Sequence, residues 1–189
     1  MKVIDVSWYQ KDLDYDEVVA NGVEGVIIKI SEGQTPEETY WSHLEQAKAH
    51  GLKWGVYCYG HAATECEALK EANEVLYLLN GENPPLGVWY DVEDEDMLNA
   101  DHLTAVVATF LNYFADNMLM AGVYASLNVV ENELDVDLLD DATPYWVAQY
   151  AGSCDFKEDF PDKRLVGWQY TDREYIGNTN VDLDEWYEG

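Results

Sequence analysis

Short apolar runs alternate along the chain with longer stretches of helical period. Residues 2–5, 25–30, 53–59, 86–93, 120–124, 145–149, 165–170 and 180–183 read as eight strands. Most are continuously apolar, as in strands covered on both faces. Between the early ones lie helical patterns over residues 15–21, 37–50, 64–79 and 101–117, the second ending at Gly51. Asp101 is the expected N-cap of the last helix. Strand–helix alternation predicts a parallel sheet, and eight strands favour closing it into a barrel.

The alternation fails towards the C-terminus. Residues 149–165 are polar and show no helical period, and only about ten residues separate the last two strands. A parallel crossover needs a dozen or more, so this last pair is expected to be antiparallel. A full eightfold barrel takes roughly 250 residues, and this chain has 189. The expected fold is therefore an α/β, reduced and flattened TIM-like barrel, one domain over residues 1–189, with helices missing from its C-terminal half.

Composition narrows the function. The net charge is −28, from 38 acidic and 10 basic residues. Nothing here would neutralise phosphates, which excludes nucleic acid and anionic membrane surfaces as natural partners. Cys58, Cys66 and Cys154 are too few for a disulfide framework, and Cys58 falls in an apolar strand. Neither they nor the four histidines have metal-ligand spacing, so no metal or cofactor is expected. The start, Met1 to Asp5, runs straight into a strand with no leader or membrane-span pattern. The expectation is a monomer made in the cytoplasm and not inserted in a membrane. The 14 Tyr and 7 Trp are numerous enough to supply both core and sugar-stacking surfaces.

Acidic residues are so abundant that Asp-x-Glu pairs arise by chance, as at Asp135-Val136-Asp137. Position discriminates better. In α/β barrels chemistry sits at the C-terminal ends of the strands. Asp5 ends the first strand. Asp91 and Glu93 end the fourth, and residues i and i+2 of a strand share a face. Asp182 lies on the last strand, which neighbours the first in a closed barrel. Four carboxyl groups would then ring one mouth. Glycoside hydrolysis needs such a set, with one acid protonating the glycosidic oxygen and a second carboxylate assisting from the other side of the sugar. Crowding and burial raise a carboxyl pKa towards the range an acid catalyst needs. From position alone, the same acids also fit a hydrogen-bonded rim without chemistry. Lys29, in an apolar strand, needs a buried partner, and these acids are the candidates.

Several segments together resemble the glycoside hydrolase family 25 muramidases, the Chalaropsis-type lysozymes that include many phage endolysins. They are Asp5-Val6-Ser7-Trp8-Tyr9-Gln10, Ile28-Lys29-Ile30-Ser31-Glu32-Gly33, Gly55-Val56-Tyr57-Cys58-Tyr59, Tyr90-Asp91-Val92-Glu93, Tyr145-Trp146-Val147-Ala148-Gln149-Tyr150, Trp168-Gln169-Tyr170-Thr171 and Val181-Asp182. The resemblance spans the chain. It implies a partial barrel that hydrolyses the β-1,4 bond between N-acetylmuramic acid and N-acetylglucosamine in bacterial peptidoglycan. It also implies Glu93 as general acid, Asp91 stabilising the N-acetyl group or intermediate, and Asp182 and Asp5 completing the cluster. Tyr57, Tyr59, Tyr124, Trp168, Lys29 and Gln169 are the implied substrate-binding residues, although the aromatics also suit core packing. Such an enzyme would reach the wall after release, as in phage or prophage lysis. Two departures stand out. Asp184 replaces a usual Asn and would add charge near the mouth. Glu38-Thr39-Tyr40-Trp41 occupies a stretch where an Asp before the helix is usual. A wall-binding barrel without catalysis, or a barrel glycosidase acting on another N-acetylated glycan such as chitin, remain the alternatives.

Overall fold

The computed structural model describes residues 1–187. Strand β1 is Lys2–Val6, β2 Gly25–Glu32, β3 Thr35–Pro36, β4 Lys53–Tyr59, β5 Val88–Asp91, β6 Ala121–Ser126, β7 Pro144–Ala148, β8 Arg164–Ile176 and β9 Thr179–Trp186. Eight of them close in the order β1-β9-β8-β7-β6-β5-β4-β2, with β2 pairing back onto β1 and the two-residue β3 flanking β2. All pairs from β1 through β8 around the barrel are parallel, and β9 runs antiparallel to both β8 and β1. This is the reduced α/β barrel that the spacing predicted.

The helices are α1 Tyr15–Ala20, α2 Tyr40–Ala49, α3 Glu65–Leu79, α4 Glu95–Leu98, α5 Leu103–Asp116, α6 Leu127–Asn132 and α7 Phe156–Asp159. Beyond α5 only short helices cover the barrel. The stretch read as non-helical holds α7, a single turn too short to show a period. Helix α2 starts three residues later than expected, because Glu37 folds its carboxylate back onto the Thr39 N–H and hydroxyl at 3.4 and 3.2 Å. Asp101 is not the cap of α5. That place falls to His102, whose side chain makes no capping hydrogen bond, and Asp101 sits in the turn before it.

The last two strands are longer than their apolar cores suggest and meet in a two-residue turn. Gly177 and Asn178 take φ of 56° and 76°, the left-handed pair that matches the twist of a tight hairpin. The tip is pinned where the Asp14 N–H donates to the Gly177 carbonyl at 3.0 Å.

The barrel has a dry floor. Trp89, Trp146 and Trp186 meet edge to face at 5.3–6.0 Å between centroids and, with Val3, Ile27 and Val166, fill its lower half. Each indole buries roughly 150–250 Å². Space for them comes from Gly122 and Gly167, where an added Cβ would come within 2.6 Å of Trp89 and 2.5 Å of Trp186. The larger apolar layer lies outside the strands, beneath the helices. There Tyr90 stacks flat on Phe110 of α5 at 3.9 Å. Plugging the floor leaves only the upper end of the barrel open to chemistry.

Candidate active site

Above the tryptophan floor, the C-terminal strand ends enclose an open hollow of about 720 Å³. The alternation of each strand decides what enters it. On β1, Val3 packs the floor and Asp5 two residues on reaches the hollow. On β5, Trp89 packs the floor, Asp91 follows at the strand end, and Glu93 lies just beyond in the turn to α4. On β9 the order is reversed because the strand runs the other way, so Trp186 is deepest, then Asp184, then Asp182. Asp5 and Asp182 face each other directly in the β1–β9 register. The structure thus brings Asp5, Asp91, Glu93 and Asp182 to one hollow.

Gln169 of β8 organises one side of it. This side chain is 1% exposed. Its amide N–H group donates to Asp5 at 2.9 Å and to Asp182 at 3.4 Å, while its carbonyl accepts the hydroxyls of Tyr124 at 3.0 Å and Tyr150 at 2.9 Å. Asp5 and Asp182 lie side by side, and their interaction favours the proton on Asp5.

Electrostatics favour protonated acids here. Burial raises Asp5 well above the usual carboxylate range, helped by Asp182 and opposed by the Gln169 hydrogen bond. Asp91 is raised by burial and then by Glu93 and Asp5, with Lys29 pulling the other way; its Oδ1 is buried with no hydrogen-bond partner. Asp182 is pushed up to about 6 by burial and by Asp172. Glu93 is open to solvent at the mouth, yet the surrounding walls and the Asp182 carboxylate raise its carboxyl too. Like charges this close titrate as a set.

These shifts fix a sign for stability. A carboxyl with a raised pKa in the fold contributes stability that is complete below its unfolded value, roughly 3.9, and is lost as pH rises through its folded value. The protein should therefore gain stability as pH falls from 7.5 to 5. Asp182 alone, discounted for the solvent that reaches it, accounts for about 1 kcal/mol of that gain. Urea titrations at the two pH values check this, and Asp182→Asn should flatten the difference. Equal midpoints for the parent at both pH values would contradict the charge state described.

Other residues fall differently from expectation. Tyr57, Tyr59 and Tyr124 line the hollow. Lys29 lines it as well, but its ammonium pairs with Glu32 at 2.6 Å and lies 5.1 Å over the Tyr59 ring. Its close partner is thus a rim carboxylate outside the four-acid cluster. Trp168 does not enter the hollow. Next to inward-facing Gln169 it points outwards, where its indole N–H donates to the Gln149 carbonyl at 2.8 Å and its ring borders shallow grooves beside Tyr170 and Tyr187. Asp184 is not at the mouth. It is 1% exposed beneath Asp5, accepts the Trp146 indole N–H at 2.7 Å, and is driven by burial towards its neutral form, so it adds no charge to the rim. Sequence reasoning missed Glu32, His61, Asp94, Tyr150 and Asp172. The first four stand at or just past a strand end, which was the available signal, whereas Asp172 lies within the long β8. Among the described residues, no group of His, Cys, Asp and Glu side chains is arranged to hold a metal ion.

Comparison with known proteins decides the family. Residues 4–179 match the sequence pattern of Glycosyl hydrolases family 25. The chain belongs to this family. A curated relative, the autolytic lysozyme of Clostridium acetobutylicum, is 32% identical over 192 residues, covering all of this chain and 56% of that protein. The chain thus spans about half the length of that relative. Among solved structures, the modular autolysin LytC of Streptococcus pneumoniae, determined with a synthetic peptidoglycan ligand, superposes with a TM-score of 0.87 at 23% identity, over 98% of this chain and 46% of that one. A family 25 glycosyl hydrolase from Bacillus anthracis gives 0.84 at 16% identity, over 100% and 89%. At these identities the two structures establish the shared family 25 barrel.

Proposed function

We propose that this family 25 chain is a muramidase that hydrolyses the β-1,4 bond between N-acetylmuramic acid and N-acetylglucosamine in bacterial peptidoglycan. The observation that carries the reading is the meeting of Glu93, Asp91, Asp5 and Asp182 in one tyrosine-walled hollow. Likeness to an autolytic lysozyme supports the substrate class.

Each residue then has a task. Glu93, its carboxyl raised above the usual range by the surrounding walls and Asp182, stands at the open side and delivers its proton to the glycosidic oxygen as the bond breaks. Asp91, deeper on the same face, places a carboxyl group with an unpaired oxygen beneath the sugar. There it orients the N-acetyl group or stabilises the positive charge that develops at the anomeric carbon. Asp5, Gln169 and Asp182 form a hydrogen-bonded wall that holds substrate hydroxyls or water. Tyr57, Tyr59 and Tyr124 offer ring faces and hydroxyls to the pyranose.

Treating purified peptidoglycan and chitin side by side tests this. New reducing ends on muramic acid, with none from chitin, are expected. Reducing ends on glucosamine would assign the other glycosidic bond. Tight binding of peptidoglycan without any cleavage would make the chain a wall-binding barrel.

A further inference from the structure

We propose that His61 is a positioning residue for the acid catalyst: its imidazole ties Asp94, the neighbour of Glu93, to Glu32 at the end of β2, and so sets where the Glu93 carboxyl stands. The inference rests on the muramidase reading and adds a residue to it.

The geometry is a clasp across the mouth. His61 follows β4. Its Nδ1 lies 3.1 Å from Asp94 Oδ2, and its Nε2 lies 3.3 Å from Glu32 Oε1. Asp94 uses its other oxygen to cap α4, accepting the Asp96 and Met97 N–H groups, each at 3.1 Å. The residue beside Glu93 is thus held from the helix and from the imidazole. Glu32 is fixed in turn by Lys29. The clasp is anchored from below as well. The His61 backbone N–H donates to Glu71 Oε1 at 3.1 Å, and Glu71, buried in α3, accepts the Tyr90 hydroxyl on its other oxygen at 2.6 Å. Tyr90 immediately precedes Asp91, so one chain of contacts joins His61 to the strand carrying both acids.

Protonation controls the clasp. Only an imidazolium donates through both nitrogens; the neutral ring donates through one. The ring faces Glu32 of β2, whose other oxygen holds Lys29, Asp94 from the cap of α4 and Tyr59 from β4, with Glu71 of α3 on the His61 backbone N–H and Glu37 and Glu38 across the adjoining groove. Burial opposes the charged ring, but the hydrogen bonds to Glu32 and Asp94 outweigh it and raise the His61 pKa. The closed clasp therefore exists at lower pH and loses one arm as pH rises through that raised value. Glu93 needs its proton over the same direction of pH, so acid and clasp fail together on the alkaline side.

The test follows kcat and KM on peptidoglycan fragments between pH 5 and 8 for the parent, His61→Gln and Asp94→Asn. Asn is itself a good helix cap, so the second variant removes the charge and leaves the cap. Both should lower kcat about fivefold at pH 5.5 with KM nearly unchanged, because placing the acid matters only as the bond breaks. Both should also make the alkaline fall in kcat shallower. Independently of activity, the His61 ring followed by NMR should titrate at lower pH in Asp94→Asn and in Glu32→Gln. A raised KM with parental kcat would make His61 a sugar contact and overturn the inference. So would an unshifted ring titration in Asp94→Asn. If the parent cleaves, Glu93→Gln does not, and the His61 variant keeps kcat and slope, this inference falls alone. If the parent releases no reducing ends, the muramidase reading falls and takes the proposed role with it.

Discussion

Glu93→Gln should cut the release of reducing ends from peptidoglycan about a thousandfold while leaving the fold intact. Glutamine keeps the shape of the side chain but has no proton to deliver to a leaving oxygen, and a positioned general acid contributes roughly 10²–10⁴-fold. The residue is exposed and makes no buried hydrogen bond, so the free energy of unfolding in urea should shift by no more than about 0.5 kcal/mol. Relief of the repulsion from Asp182 would place that shift on the stabilising side. In the parent, activity should fall as pH rises through the raised Glu93 value, since the protonated carboxyl is the active form. A variant that retains more than a tenth of parental activity would move the acid to Asp182, whose carboxyl is pushed up to about 6.

Gln169→Leu should be nearly as damaging, by a different route. Both ends of the amide are in use, and leucine replaces neither. The Tyr124 and Tyr150 hydroxyls lose their acceptor, and Asp5 and Asp182 lose their shared donor. Stranding the buried Tyr124 hydroxyl costs about 2 kcal/mol of stability, readable as a lower urea midpoint with unchanged slope. Activity should drop about a hundredfold as the hydrogen-bonded wall comes apart. Gln169→Glu separates geometry from bulk. It restores an acceptor for the tyrosines but crowds another carboxyl against Asp5 and Asp182, so it should be poor at pH 7.5 and partly recover at pH 5, where these acids share protons. Gln169→Leu should show no such recovery. Parental kcat in both variants would mean that the wall plays no part in turnover.

Much of this site was legible one strand at a time. Asp91 and Glu93 share a face because side chains alternate along a strand, and that holds whatever the strand pairs with. Tyr57 and Tyr59 share a face for the same reason. The parity that brings Gln169 inwards also sends Trp168 out, and both could not have been right. Lys29 and Glu32, three residues apart, should face opposite sides of a regular strand. They meet at the mouth because a bulge between Lys29 and Ser31 shifts the β2–β4 register. No local pattern announces that extra residue.

By itself, the sequence determined the barrel class, the antiparallel final pair and the acid pair at the end of β5. All of these follow from short-range periodicity and from how far a connection of given length can reach. The tertiary structure alone decided that Asp184 sits beneath Asp5 and Asp182 beside Trp146, and that His61 spans Glu32 and Asp94. Those contacts join residues 29 to 179 positions apart. Their formation depends on ring closure and cross-strand register, which belong to the whole sheet and to no single segment of the chain.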